Sequence, residues 1–192
     1  MTLFRNVFFI SCFLALTINV HAQEAEKDIL KTPDTWRKEF IEFPLSFAPT
    51  IDFVGVEDIR FSSGWGDSES EEFWMYAFVW YLDQDPKLSV EKLNNVMQVY
   101  FDGIMNLVAD STDSVTPASA SFTRTASGYQ GTIKTYDAFF AKKEMTLHVQ
   151  VEDVPCSKTG KFVSLFKLSL QPPSDPLWSK FDEVKLNIHC DD

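Results

Sequence analysis

Ten consecutive residues, Phe73 to Leu82, constrain this chain more than any other stretch, because none of them is charged. Written as a strand, they place Phe73, Met75, Ala77, Val79 and Tyr81 on one face and Trp74, Tyr76, Phe78, Trp80 and Leu82 on the other. A segment that is apolar on both faces has to be covered on both sides. A short buried helix would show the same run, but the aromatic and β-branched content favours a strand. The rest of the chain must therefore supply two covering layers.

One layer is legible directly after it. Asp85-Pro86 breaks the run, Ser89 is a good N-cap, and Leu93, Met97, Tyr100, Ile104 and Val108 recur at helical spacing. The spacing predicts one long helix with an apolar stripe. Upstream, Ile51, Phe53, Ile59 and Phe61 read as a strand interrupted at Gly55 by a bulge or bend. Downstream the pattern changes to a meander. Ser119 to Ala126 and Tyr129 to Asp137 flank the turn signal Ser127-Gly128. Glu144 to Glu152 alternates with Met145, Leu147, Val149 and Val151 inward, and Phe162 to Leu170 returns with Phe166, Leu168 and Leu170 inward. Such strands have one face solvated or only partly covered. Ser174-Asp175-Pro176 starts a C-terminal helix through Leu177, Phe181, Val184 and Ile188, although Val184 to Cys190 also alternates like a strand. Together these elements predict a single α+β domain over residues 36–192. It has an antiparallel sheet of about six strands, one long helix packed on it and a C-terminal helix.

The first 22 residues have a different character. Arg5 precedes an apolar run from Val7 to Leu16, and Val20-His21-Ala22 ends it with small residues around a cleavage point. That order predicts a secretory signal peptide cleaved after Ala22, and an exported protein of the periplasm or exterior. Thr17, Asn19 and His21 interrupt the run before it reaches the length of a membrane anchor. Cys12 could accept a lipid, but Phe13 to Leu16 continues the apolar core where a lipoprotein needs a polar tether. Residues 23–35 read as a flexible mature N-terminus. Cleavage removes Arg5 and none of the 28 acidic residues, so the net charge moves from −11 to −12. A chain this acidic repels nucleic acid and anionic lipid, and after cleavage it is not expected to be an integral membrane protein. Of three cysteines, only Cys156 and Cys190 then remain, and two cysteines in an exported chain are expected to pair.

Motifs that carry chemistry are few. Exposed, Trp74, Tyr76 and Trp80 would form a platform for sugar rings or other apolar ligands, with the ligand held near Trp65, Trp74 and Trp80; the competing role is core packing. Asp67, Glu69 and Glu71 alternate like cation ligands, but Glu72 stands where a calcium loop needs glycine. The cluster Glu57, Asp58 and Arg60 reads as a salt-bridged strand edge. Asp58, Arg60, Asp67 and Glu72 are also the candidates for a small carboxylate-dependent hydrolase. His148, outward between Glu144 and Glu152, has no zinc-type spacing around it. Ser89 to Lys92 and Lys158 to Gly160 match the S-x-x-K and K-T-G triplets of penicillin-recognising enzymes, without the S-D-N element between them. No cofactor or metal is implied by any of these.

The stretches Gly64-Trp65, Glu72-Phe73-Trp74 and Trp80-Tyr81-Leu82-Asp83 resemble exported bacterial proteins without an assigned activity, over roughly residues 36–110. That resemblance implies export and no particular chemistry. The leading expectation is a non-catalytic binding or accessory protein for a small molecule or envelope component. A carboxylate hydrolase and a partner scaffold are the alternatives.

Overall fold

In the computed structural model, which describes residues 28–154, 156 and 159–190, the apolar run is the centre of the molecule. Strand β4 (Tyr76–Leu82) lies third in a seven-stranded antiparallel sheet. The strands in chain order are β1 (Leu30–Lys31), β2 (Arg37–Glu42), β3 (Gly55–Phe61), β4, β5 (Ser119–Arg124), β6 (Gly128–Tyr136), β7 (Glu144–Val154), β8 (Phe162–Ser169) and β9 (Lys185–Leu186). The large sheet runs β2-β3-β4-β8-β7-β6-β5, and β1 pairs only with β9 in a small second sheet. The fold is α+β, with one more strand in the main sheet than the sequence pattern suggested.

Both faces of β4 are covered. On one side Trp74, Tyr76, Phe78, Trp80 and Leu82 join Phe166 and Leu168 of β8 and Leu147, Val149 and Val151 of β7. Helix α1 (Val90–Val108) closes this side with Leu93, Met97, Tyr100, Phe101 and Met105, and the segment between β2 and β3 adds Leu45, Ala48 and Ile51. Ser89 caps α1 as its position implied, accepting from the Lys92 N–H at 3.1 Å. On the other side Met75, Ala77 and Val79 meet Val163, Leu165, Ile29, Leu30, Trp178 and Phe181. The polar face foreseen for the meander is therefore confined to β5, β6 and β7, because β8 is covered on both sides.

Four local expectations are corrected. The interrupted strand before β4 does not form; β3 starts at Gly55, and Ile51 and Phe53 are buried loop residues. Gly55 has φ +140°, and a Cβ there would sit 2.2 Å from the Tyr81 carbonyl oxygen. The C-terminal helix is a 3-10 helix (Pro176–Glu183) capped by Asp175, and β9 follows it, so both readings of that segment hold in succession. Residues 28–35 are not loose, because Ile29 and Leu30 are buried and donate both N–H groups to Asp58 Oδ2 at 2.8 and 2.9 Å. The hairpin of β5 and β6 turns through Ala126 and Ser127, one residue before the expected Ser127-Gly128, because the Thr125 N–H donates to the Gly128 carbonyl. The leader segment 1–22 and residues 23–27 lie outside the described residues, as does Lys158.

The two edges of the large sheet are finished differently. At the β5 edge, the outward N–H groups of Phe122 and Ala118 are taken by Asn94 Oδ1 and Asp102 Oδ1 of α1, at 2.9 and 2.6 Å. At the β2 edge, the odd residues pair inward with β3, as the Phe43 N–H on the Gly55 carbonyl shows. The backbone groups of Lys38, Phe40 and Glu42 point outward, with no partner among the described residues. Cys156 and Cys190 form a disulfide, tying the C-terminus to the segment after β7.

Candidate functional site

The aromatic face of β4 does not become an exposed platform. Trp74, Tyr76 and Trp80 are all buried, Trp80 completely, because α1 and the segment between β2 and β3 lie over them. Between helix and sheet, however, the large rings leave a cavity of about 260 Å³. Its inner wall is Ile59, Phe61, Trp65, Trp74, Tyr76, Tyr100, Phe101 and Met105. Half-buried Ile41, Phe47, Ile104, Val108 and Phe139 and exposed Glu39 form its rim. Trp65 and Trp74 thus line a partly open pocket rather than a flat surface, and Trp80 is not part of it.

Several local features hold this wall in place. Trp74 has φ +58°, a left-handed conformation that costs a bulky residue on the order of 1–3 kcal/mol. Two hydrogen bonds fix it there: its backbone N–H to the Trp65 carbonyl, and its indole N–H to Asp137 Oδ2, both at 3.1 Å. Asp137 is itself buried and accepts from the N–H groups of Phe139, Phe140 and Ala141. One carboxylate therefore shapes the turn that brings Phe139 to the rim and Phe140 edge-on to Trp65. Arg37 lies with its guanidinium 4.9 Å from the Phe61 ring centre and 5.2 Å from that of Trp65, a cation–π contact at the β2 side.

Behind the tyrosines stands Glu57, wholly buried in β3. Tyr100 donates to its Oε1 at 3.1 Å, while Oε2 has no partner. Trp80, directly across the strand pair, closes no hydrogen bond within normal geometry. Burial pushes the Glu57 carboxyl up from 4.5 to about 8, against the lowering effect of Tyr100 and Trp80. At neutral pH it is held as the neutral acid. Burial first, and the Glu57 carboxyl second, raise both Tyr76 and Tyr100 well above the ordinary tyrosine value.

The carboxylate candidates are not gathered into a pocket. Asp58 and Arg60 are buried on the opposite face of β3 and form an ion pair there, so they are interior groups and not a strand edge. Arg60 also donates to the Ile59 and Leu30 carbonyls and to Asp28. These two side chains anchor β1 beneath the sheet. Glu72 pairs with Lys180 and accepts from the Gly64 N–H; against the burial that would raise it, these contacts hold it below its ordinary value. Asp67 is exposed, and among the described residues its carboxylate accepts only from the Glu69 N–H of its own turn. None of Asp58, Arg60, Asp67 and Glu72 lines the aromatic cavity. His148 lies in β7 opposite Thr132 and Ser169. Among the described residues no group of three His, Cys, Asp or Glu side chains could hold a metal ion, and no helix is long and apolar enough to cross a membrane.

A larger, more open groove of about 720 Å³ runs past Val54, Tyr81, Lys161 and His189 at the end of β3 and β4. It lacks the aromatic enclosure that would fix a small ligand's orientation. Comparison of the chain with family models, curated proteins and solved structures found no match. The fold and cavity together define an α+β protein with an aromatic-walled space beneath the one α-helix among its described residues.

Glu57, Tyr100 and Phe61 were not among the candidate site residues from sequence, and Glu57 was assigned to a charged edge. The signal for it was present: Glu57 shares the alternation of Ile59 and Phe61, which puts a carboxyl on an inward face.

Proposed function

We propose that this is an exported, non-catalytic binding protein that takes a small apolar ligand into the cavity beneath α1. The observation that carries this reading is the cavity itself, about 260 Å³ of space walled mainly by aromatic rings. Cores are normally packed without spaces of that size, and a concave, partly open pocket walled by rings can bury most of an apolar ligand's surface. Export is supported by the leader pattern of residues 1–22 and by the Cys156–Cys190 pair. The hydrolase alternative is weakened because Asp58 and Arg60 spend their polar atoms on β1.

The test is a thermal-shift and tryptophan-fluorescence titration with neutral apolar probes such as naphthalene and N-phenylnaphthylamine. Binding is expected to raise the melting temperature and to quench the emission of Trp65 and Trp74. A ligand at 100 times its dissociation constant stabilises by about 2.7 kcal/mol. Ile104→Trp, which fills the rim from the helix, is expected to abolish the shift while its circular dichroism stays native. No response to any probe, or a response that Ile104→Trp leaves intact, refutes the assignment.

A further inference from the structure

The contrast between the two sheet edges carries an inference that does not depend on the cavity. Edge strands left open are templates for another strand, and proteins normally cover them or make them repulsive. Here α1 covers the β5 edge with Asn94 and Asp102, whereas the outward backbone groups of Lys38, Phe40 and Glu42 are left without partners among the described residues. The sequence of that open strand, Arg-Lys-Glu-Phe-Ile-Glu, is charged but not of one sign.

Its register options can be counted. Two copies of β2 meeting antiparallel across a two-fold axis must oppose outward-facing residues, so only even-numbered residues can exchange hydrogen bonds. Centred on Lys38, the pairing sets lysine against lysine. Centred on Glu39 or on Glu42, it sets glutamate directly against glutamate, and centred on Ile41 it sets Ile41 on the second copy's Ile41 and Phe40 opposite Glu42, matching no opposite charges. Centred on Phe40, it stacks Phe40 on the second copy's Phe40 and sets Lys38 opposite the second copy's Glu42, twice. All three side chains of that register lie on one face, with Phe40 backed by the Arg60 guanidinium 5.3 Å from its ring centre. Opposite charges directly across a strand pair stabilise it and like charges destabilise it.

We propose that β2 is a self-association edge, at which two copies of this chain join antiparallel about Phe40, with Lys38–Glu42 pairs on either side, into one continuous fourteen-stranded sheet. Both copies then present α1 on the same face, since the two-fold axis stands perpendicular to the sheet. In that register Glu39 lies opposite the second copy's Ile41, and these are the two β2 residues on the cavity rim. The two cavity mouths flank the axis. A six-residue strand contact is small for an interface, so the association falls in roughly the micromolar range.

Sedimentation equilibrium of the purified protein from about 1 µM to 500 µM tests this. The expected result is a reversible monomer–dimer equilibrium. Lys38→Glu and Glu42→Lys are each expected to raise its dissociation constant about tenfold, because each puts two like-charged pairs across the junction. Lys38 also pairs with Asp28 at 3.0 Å, so Lys38→Glu alone disturbs a contact within one copy. The double exchange Lys38→Glu with Glu42→Lys separates the effects: Asp28 still faces a glutamate, yet the junction is complementary again and the dissociation constant returns to within about threefold of the parent. A chain that stays monomeric at 500 µM, a dimer that neither single substitution weakens, or a double exchange that fails to restore association overturns the proposal.

Discussion

Glu57 is the residue on which the helix-side core turns. A carboxyl buried without a cation is stable only while it keeps its proton, and its value of about 8 against an ordinary 4.5 states the difference between folded and unfolded chain. Below pH 4.5 both states are protonated, and the fold carries no penalty from this group. Between 4.5 and about 8 the unfolded chain releases the proton while the folded chain retains it, so stability falls as pH rises, by at most about 1.4 kcal/mol per pH unit. Above 8 this residue makes no further change. Urea unfolding from pH 4 to 9 is expected to show that decline, and Glu57→Gln to flatten it and to be the more stable protein at pH 9. A pH dependence identical in both proteins would remove Glu57 as its source. The sequence displayed the position of this carboxyl but not its isolation. Arg60 stands three residues on, and only the strand parity shows that it faces the other way, toward Asp58 and β1.

At the scale of elements, α1 was readable almost to its ends, because a capping serine and five apolar residues at helical spacing are local facts. What the helix packs over was not local. Gly103 illustrates this: it sits mid-helix, where glycine is costly, and a Cβ there would lie 2.0 Å from the Phe47 carbonyl oxygen. The helix needs that glycine so that the segment after β2 can cross it and bring Phe47 to the cavity rim. Gly103→Ala, which should gain about 1 kcal/mol of helix propensity, is instead expected to lose about 1–3 kcal/mol in urea unfolding and to reduce probe binding. A net gain in stability would mean that the crossing can shift without cost. The C-terminal segment was ambiguous for the same reason. Its eight-residue 3-10 turn gives way to a two-residue strand whose partner lies at the other end of the described chain.

For the whole molecule, the double coverage of β4 followed from composition alone, while the identity of the second cover did not. That layer is assembled from the two ends of the described chain, β1 and the 3-10 helix with β9, and the Cys156–Cys190 bond locks it to the sheet. Closing a loop of about 35 residues corresponds to roughly 4 kcal/mol in the chain-entropy account. Cys190→Ser is therefore expected to lower the unfolding free energy by about 2–4 kcal/mol. Hydrogen exchange should speed up at Ile29 and Leu30 while β4 stays protected. Equal acceleration in both layers would show that they do not open separately.

The pairing of Leu30 with Leu186 and Lys31 with Lys185 also sets a schedule. A chain is made from its N-terminus, so β1 emerges long before β9 and has to wait for that partner. Until then one face of β3, β4 and β8 is bare, and the Asp58 carboxylate and Arg60 that will hold β1 face no finished layer. That layer cannot close before Lys185 and Leu186 have followed. Under the export proposed above, in which the chain would cross a membrane unfolded, that order would keep the second layer open until delivery is nearly complete.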